Sequence, residues 1–328
     1  MAKGLMTLDN VDFNEVWNNF LTPTVDRYNE RDRTDFEALL CRRKDEQIVK
    51  TMINNTQGFQ VEGTITRSDN QHSEYGTFQG FLKKIGAGFS YDEEFLMHAN
   101  LQRIIDTQND ILEQHRTYIR SLILQTCLNN TTDGFFNADF DTGEGITAPP
   151  NYGENSFVAG HTHYITSGAT TLTLPNCTTC RHHIIQHGVK GSIVGFINST
   201  DEGAITNSLM PTNAGVQVSN PITDKVVVDN VIGVLGGITW IVTESMPAGY
   251  VLVVGTNASI GADKPVRLIE PTNTSFRGLR IIEGARPAYP IFGSQYKSHI
   301  GGKVFHRGWG VAMQLTANAT YANPTFLS

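Results

Sequence analysis

Hydrophobic residues recur every three to four positions across one long segment in the first half of the chain. They lie at Met97, Leu101, Ile104, Ile105, Ile111, Leu112, Tyr118, Ile119, Leu122 and Ile123. This spacing is typical of an amphipathic helix, and Ser90-x-x-Glu93 just before it matches a capping box. The pattern predicts a helix of ~35 residues, which at ~1.5 Å per residue would span ~50 Å. Since no second pattern of this length occurs, we expect a lone helix lying across a β-rich body.

Shorter patterns precede this segment. Val11–Phe20 and Asp35–Met52 are candidate short helices, whereas Gln60–Ile65 and Thr77–Ile85 have the alternation of strands. The two strands flank a polar tip, Thr66–His72, which has few residues able to form a core. We therefore predict a long β-hairpin that projects from the body.

The rest of the chain reads mainly as strands and turns. Cys177–His187 has a short helical pattern that ends at Gly188, a residue favoured just after a helix. The predicted strands that follow are Gly191–Ile197, Lys225–Val228, Ile238–Val242, Tyr250–Val254, Val266–Ile269, Leu279–Ile282 and Lys303–Leu315. Helices and strands segregate along the chain instead of alternating, so the predicted fold class is α+β.

Composition and charge argue against several classes of function. Charged residues make up 17% of the 328 residues, against a typical ~25%. The formal net charge is −7 and no basic cluster is longer than Arg42-Arg43-Lys44, which argues against nucleic-acid binding as the main role. The most apolar region, Val226–Val254, is broken by charged residues and glycines, so we predict no membrane span. We also predict no signal peptide, because the first residues lack an apolar core and a cleavage site.

Motifs of enzymes are missing from the sequence, which contains no G-x-S-x-G, Walker A, G-x-G-x-x-G or H-E-x-x-H. We therefore expect a protein that is not an enzyme and uses no cofactor. Its four cysteines are too few and too scattered for a disulfide framework, and reduced thiols are the simpler interpretation.

One group of residues could hold a metal ion. Cys177 and Cys180 have Cys-x-x-Cys spacing, and His183 and His187 follow on one helix face at i, i+4. Thiolate and imidazole are preferred ligands of Zn²⁺. Another pair, His161-x-His163, lies upstream. The second Cys-x-x-Cys of a typical zinc site is missing, so a polar helix surface or a subunit contact is the favoured interpretation and a metal-dependent hydrolase a remote alternative.

The C-terminal stretch carries a resemblance to a known family. It reads PAGYVLVVGTNASIGADKPVRLIEPTNTSFRGLRIIEGARPAYPIFGSQYKSHIGGKVFHRGWGVAMQL, from Pro247 to Leu315. Its Pro-Gly-Tyr turn, Lys264–Arg267 strand and Ile300–Val304 segment before a hydrophobic strand resemble the end of tailed-bacteriophage major capsid proteins of the Hong Kong 97 fold. The run HHIIQHGVKGSIVGFIN, His182–Asn198, is similar to the helix, turn and strand that open the axial domain of that family.

The resemblance implies an architecture for the whole chain. It comprises an N-terminal arm (1–56), an extended hairpin loop (57–88) and a peripheral domain with the spine helix (89–177). An axial domain (178–285) and a C-terminal return to the peripheral domain (286–328) follow. The extended loop would lie over a neighbouring subunit. Candidate contacts between subunits are therefore Arg67 and Asp69 at the tip and Lys83 and Lys84 at the end of the second strand, although such lysines are more often solvated edge residues.

The resemblance also implies function and partners. The protein would form hexamers and pentamers that close into an icosahedral shell around double-stranded DNA, in the virion, after assembly in the cytoplasm of a host bacterium. The arm is too short for a cleaved scaffolding segment, so a separate scaffolding protein is implied, with a portal protein and a possible decoration protein. Covalent crosslinking through Lys83 or Lys84 is not expected. The alternatives are an encapsulin-like compartment and a β-rich tail or receptor-binding protein.

Overall fold

The computed structural model describes residues 7–9, 11–31, 35–44, 48–55, 73–79, 82–91, 93–137, 149, 155–158, 160–189, 191–203, 231–256, 264–286 and 291–326. Within them the chain forms two large β-sheets, a two-stranded sheet and one long helix. This arrangement confirms the predicted α+β class. Over these ranges, none of the helices has the length and apolar character needed to cross a membrane.

The helices and strands are numbered in chain order. The helices are α1 (Phe13–Val16), α2 (Thr22–Arg31), α3 (Asp35–Leu40), α4 (Glu93–His98), α5 (Leu101–Leu128) and α6 (Leu174–Gln186). The strands are β1 (Cys41–Lys44), β2 (Ile48–Asn55), β3 (Ser73–Gln79), β4 (Lys83–Tyr91), β5 (Tyr164–Thr166), β6 (Ser192–Ile197), β7 (Val231–Leu235), β8 (Ile238–Val242), β9 (Tyr250–Thr256), β10 (Val266–Ile269), β11 (Arg280–Arg286), β12 (Ile291–Val304) and β13 (Gly310–Gln314).

The long helix is α5, which has 28 residues and therefore spans about 42 Å. The prediction of one helix of ~35 residues is wrong, because the shorter α4 precedes α5 and the chain leaves helical geometry at Ala99 and Asn100. Asn100 is the N-cap of α5, and its side chain accepts a hydrogen bond from the backbone N of Arg103 at 3.0 Å. An asparagine in this role starts a new helix within an otherwise continuous hydrophobic pattern.

The first helices pack against α5. A π-helical turn, Trp17–Leu21, joins α1 to α2, so helical structure extends past the predicted Val11–Phe20 to Arg31. Such a turn leaves backbone carbonyls that need other partners. The buried Gln108 of α5 meets one of them, because its Nε2 donates to the carbonyl of Leu21 at 2.6 Å.

The five-stranded sheet contains β1, β10, β12, β11 and β4. β12 is its centre, since β10 pairs with its C-terminal part and both β4 and β11 pair with its N-terminal part. β1 adds to the edge, parallel to β10. The predicted helix Asp35–Met52 is therefore wrong beyond α3, because β1 pairs with β10 and β2 pairs with β3. These pairings override the local helical pattern.

The six-stranded sheet has the order β5-β13-β9-β6-β8-β7. Its central strands are almost wholly apolar, and α6 packs over β9 and β13. β6, β8, β9 and β10 confirm predicted strands, and β11 confirms Leu279–Ile282 from Arg280 onward, but β7 was not predicted. The single strand predicted for Lys303–Leu315 is wrong, because β12 ends at Val304 and a turn separates it from β13. The predicted Lys225–Val228 lies outside the described residues.

The main core lies between α5 and the two sheets. It contains Ile119, Ile123 and Cys127 from the helix together with strand residues such as Leu252 and Val304. A second core lies under α6 and includes Trp240, Val253 and Val311. The two sheets and the long helix therefore form the frame on which every candidate site is placed.

Candidate interaction surfaces and histidine cluster

The predicted projecting hairpin corresponds in part to the two-stranded sheet. β2 and β3 run antiparallel, with Ile48 opposite Gln79 and Asn55 opposite Ser73. Among the described residues, these two strands are hydrogen-bonded to each other and not to either large sheet. The sequence assigned most of β2 to a helix, so the partner of β3 was not foreseen. Gln60–Ile65 and the tip residues Arg67 and Asp69 lie outside the described residues.

Lys83 and Lys84 lie at the start of β4, which belongs to the five-stranded sheet and not to the hairpin. The predicted strand Thr77–Ile85 is therefore divided between β3 and β4. Both lysines are exposed. Lys84 is opposite His299 of β12, and Lys83 is opposite Ile300, which is 2% exposed. Because side chains alternate between the faces of a strand, the two lysines lie on opposite faces of the sheet.

Lys84 is one of four basic residues on one face of this sheet. Arg280 of β11 is opposite Lys297 of β12, and Lys297 and His299 share a face at i, i+2. We call Lys84, Arg280, Lys297 and His299 the cationic sheet face. Partial burial lowers the pKa of His299, and the charges of Arg280 and Lys84 lower it further. The strand register places these groups next to one another.

Two observations orient the cationic sheet face toward solvent. The opposite face of β12 carries Tyr296, Ser298 and Ile300, all buried against the core. The Arg280 guanidinium lies 4.5 Å from the ring centroid of Phe276, a side chain that is 44% exposed. A basic surface with an exposed aromatic ring is a suitable contact for an acidic partner surface.

The second candidate site is built around the C-terminal end of α6. Thr173 caps the start of the helix, where its side chain accepts from the backbone N of Asn176, and His187 caps the end. Gly188 follows with φ of 82°, a left-handed geometry that glycine adopts without strain. These features confirm the predicted helix Cys177–His187 and its termination at Gly188.

Cys177 and Cys180 lie in the hydrophobic core under α6. They are 0% and 1% exposed and pack with apolar residues that include Val189 and Trp240. Burial raises the pKa of Cys177 to about 11 and that of Cys180 further. Their packing among apolar side chains is typical of structural cysteines.

The histidines form a separate cluster. His161, His163 and His187 each offer a ring nitrogen, and these atoms all lie within 4.8 Å of one another. The Nε2 of His187 is 3.2 Å from the Nε2 of His161 and 3.0 Å from the Nε2 of His163. We call these three residues the histidine cluster. His183, which the sequence singled out, stacks on His161 with ring centroids 4.5 Å apart.

Each ring of the histidine cluster is held by its surroundings. The Nδ1 of His163 donates to the carbonyl of Gly310 at 2.7 Å. Phe157 stacks on His187 at 4.2 Å with an interplanar angle of 7°. A Cβ at Gly308 would come within 2.8 Å of Cγ of His187, so the backbone can approach this ring closely because the residue is glycine. The rings are therefore held by Phe157 and by the backbone of the segment 308–310.

The electrostatic environment keeps these imidazoles neutral. Burial, followed by the charge of His183, lowers the pKa of His161 to about 4. Burial and the charges of His161 and His183 lower the pKa of His187 to about 3. His163 is 0% exposed, and burial holds its pKa well below the usual range. At neutral pH the cluster therefore presents uncharged rings with available lone pairs.

Sequence reasoning identified His183 and His187 but did not place His161 and His163 with them. The sequence does indicate that His161 and His163 act together, because two histidines at i, i+2 in an extended segment lie on the same face. That segment meets the end of α6 only because β5 pairs with β13, which lies against α6. Such a long-range pairing is not encoded in the local spacing of either segment.

No family model and no curated protein matches this chain. Solved structures do match it over most of its length. A structure from Mycobacterium phage Patience has a TM-score of 0.70 at 21% identity, covering 99% of this chain and 96% of that chain. The capsid of a native GTA particle has a TM-score of 0.55 at 12% identity and covers 87% of this chain and 91% of its own.

A third match is the mature capsid of bacteriophage PhiM1, with a TM-score of 0.53 at 9% identity and 84% of each chain covered. Identities this low establish a shared fold and nothing finer. The chain therefore has the fold of these capsid proteins, and the capsid fold expected from the sequence is confirmed.

Proposed function

We propose that this protein is the major capsid protein of a tailed bacteriophage. The observation that supports the proposal most strongly is the shared fold with the structure from Mycobacterium phage Patience, which extends over 99% of this chain. In this role the protein is structural and not an enzyme. It assembles with itself into hexamers and pentamers, which close into the icosahedral shell of the virion in the cytoplasm of the host bacterium.

Several parts of the subunit suit such a shell. An isolated two-stranded sheet such as β2–β3 is marginal by itself and gains stability when a neighbouring subunit covers it. The 28-residue helix α5 provides a long rigid frame for the subunit. In this proposal the segment from β2 to β3 extends over the neighbouring subunit, since β1 and β4 on either side of it are held in the five-stranded sheet, and residues 178–285 meet their copies around each capsomer axis.

The charge distribution gives the contacts between subunits a physical basis. Subunits with a formal net charge of −7 repel one another unless their contacts bring opposite charges together. The cationic sheet face supplies positive charge on an otherwise acidic subunit, so we assign it to a contact with an acidic surface of a neighbour. Lys84 belongs to that contact, and Lys83, on the other face, does not.

The proposed partners follow from the same role. A separate scaffolding protein directs assembly, a portal protein occupies one vertex and a decoration protein can bind the finished shell. Double-stranded DNA is packaged without sequence specificity. An acidic shell suits this task, because few phosphate-neutralising residues are present to hold the DNA against the wall.

The test is negative-stain electron microscopy of the purified protein, alone and co-expressed with neighbouring genes. Closed shells or six-fold rings tens of nanometres across would support the proposal. Shells that enclose a protein cargo and have no portal vertex would instead indicate an encapsulin-like compartment. If only monomers or trimers form under every condition, the capsid proposal is wrong and a tail protein becomes the better interpretation.

A further inference from the structure

The histidine cluster has a geometry that hydrogen bonding alone does not satisfy. A carbonyl only accepts, so the Nδ1 of His163 must carry the proton that it donates to Gly310, and the Nε2 of His163 is then a lone pair. The Nε2 of His187 lies 3.0 Å from this atom and 3.2 Å from the Nε2 of His161. A single proton on the Nε2 of His187 can be shared between the two contacts only as weak hydrogen bonds. A cation between the rings would instead accept a lone pair from the nitrogen of each ring.

Two of the three nitrogen–nitrogen distances are close to those of a metal site. Two nitrogen ligands on a tetrahedral Zn²⁺, each ~2.05 Å from the metal, are separated by ~3.3 Å. The two close nitrogen pairs of the cluster, at 3.0 and 3.2 Å, are near this value. The third pair, His161 and His163, lies within 4.8 Å, so a modest rotation of these two rings would complete the site around the ion.

The surroundings also have the features of a metal site. A ligating histidine usually donates its other ring nitrogen to a carbonyl or carboxylate, and His163 does so to Gly310. His183 stacks on His161, and its own Nε2 is buried without a hydrogen-bond partner among the described residues. His161 and His187 are only partly buried, which leaves an entry path for the ion from solvent.

From this geometry we propose that His161, His163 and His187 bind one divalent transition-metal ion, with Zn²⁺ as the best fit. Three neutral imidazoles are a recognised zinc ligand set, with the fourth position left for water. The ion would connect the end of α6 to the segment before β5, and through the Gly310 carbonyl to the start of β13. Its role is structural, because it links elements that are distant in sequence within one subunit. Cys177 and Cys180 take no part.

The proposed site differs from the metal site that the sequence pattern suggests. In that pattern the ligands come from one helix and its Cys-x-x-Cys motif. In the folded chain one ligand comes from the C-cap of α6 and two from an extended segment, and the thiols stay in the core. The site is independent of the proposed capsid role, since it would form in an isolated subunit as well as in a shell.

The test uses the full-length protein purified without a polyhistidine tag. After treatment with a chelator, Zn²⁺ is added and the excess removed, and bound zinc is measured by mass spectrometry. We expect about one zinc per subunit, since the site is a single cluster. Binding of Co²⁺ in its place should give the visible absorption bands of a tetrahedral site. Zn²⁺ should also raise the melting temperature, because an ion that binds only the folded state stabilises it.

The matched variants are His161→Gln and His187→Gln, with His182→Gln as the control. His182 is the exposed neighbour on the same helix, and its Nε2 contacts Gln186 instead of the cluster. We expect the first two variants to lose zinc affinity by at least the 10–100-fold typical of a lost supporting contact, and His182→Gln to retain it.

Thermal melting in the presence of a chelator distinguishes a variant that fails to fold from one that only lacks the metal site. There His161→Gln should melt close to the wild-type protein, and only the wild type and His182→Gln should gain stability when Zn²⁺ is added. The proposal is overturned if the wild type retains no zinc and gives no Co²⁺ bands. It is also overturned if His161→Gln and His187→Gln hold as much zinc as the wild type.

Discussion

Lys84 and His299 lie directly opposite each other on β4 and β12, on the face of the five-stranded sheet turned away from the core. Arg280 and Lys297 form the next pair on the same face. Three cations, Lys84, Arg280 and Lys297, lie within two adjacent cross-strand pairs and repel one another, which costs stability in an isolated subunit. Such an arrangement is consistent with a surface whose charge is neutralised by a neighbouring subunit.

The first prediction concerns this surface. Lys84→Glu should weaken assembly, because it places a carboxylate where the proposed neighbour presents acidic groups. We expect the subunit concentration needed for shell formation to rise about tenfold, which corresponds to ~1.4 kcal/mol per subunit. Light scattering during assembly measures the effect, and added salt should weaken assembly of the wild type in the same direction.

Lys83→Glu is the matched control. It makes the same charge change one residue away, on the opposite face of the sheet. We expect it to assemble like the wild type. Equal loss of assembly in the two variants would show that assembly does not depend on which face of the sheet carries the new charge. The assigned contact would then be wrong.

The second prediction concerns a buried ion pair. Arg43 of β1 donates to the carboxylate of Glu37 in α3, which is 1% exposed, and to that of Glu270 at 2.9 Å. The charges and hydrogen bonds of these carboxylates raise the pKa of Arg43 despite the opposing effect of burial. Arg43→Ala leaves a buried carboxylate without its cation, which should lower the free energy of unfolding by ~3 kcal/mol.

Glu113→Gln is the control for this pair. Glu113 also contacts arginines, Arg116 and Arg120, but its side chain is 55% exposed. Water screens such a pair, so the expected change is within ~0.5 kcal/mol. Urea denaturation of both variants gives the comparison. A loss for Arg43→Ala no larger than that for Glu113→Gln would contradict the prediction.

The third prediction concerns pH. His115 of α5 packs against α2, where its Nδ1 lies 2.7 Å from the hydroxyl of Tyr28. Burial, followed by the charge of Arg43, lowers the pKa of His115 to about 4. The unfolded chain has the ordinary pKa of about 6.5 and binds more protons, so stability is lost as pH falls from about 6.5 toward 4. Between pH 7.5 and 5.0 the loss from this residue should be ~2 kcal/mol.

His115→Gln tests the assignment. Glutamine keeps a polar partner for the Tyr28 hydroxyl and does not titrate. The histidine cluster should still make the variant less stable in acid, but the difference in unfolding free energy between pH 7.5 and 5.0 should shrink by ~2 kcal/mol. An unchanged difference would mean that His115 is not protonated on unfolding in this range.

The fourth prediction concerns close packing in the six-stranded sheet. A Cβ at Gly195 of β6 would lie 2.6 Å from the ring of Trp240, which is fully buried. Because so close a contact forces the buried ring or the strand to shift, Gly195→Ala should lower the unfolding free energy by ~1–3 kcal/mol. Gly88→Ala is the control, since a Cβ there meets nothing within 4 Å. Thermal melting of the two variants should differ clearly, and equal melting temperatures would refute the packing argument.

The sequence alone predicted the elements whose signals are local. The helical period of α5, the glycine after α6 and the apolar runs of β6, β8 and β9 are written in consecutive residues, because the same residues that make the pattern also make the element. The resemblance in the C-terminal stretch led to the capsid fold. The order of arm, hairpin, long helix and β-rich body therefore follows from the local patterns together with that resemblance.

The tertiary structure decided what depends on partners distant along the chain. Cys41–Lys44 became a strand because β10 offers a sheet edge, and Asn100 interrupted the long helix because a cap can form there. His161 and His163 meet His187 only through the pairing of β5 with β13. Lys84 and Lys83 are placed on opposite faces of the sheet by the register of β4 with β12. Local spacing determines an element, but the free energy of long-range pairing determines which side chains meet.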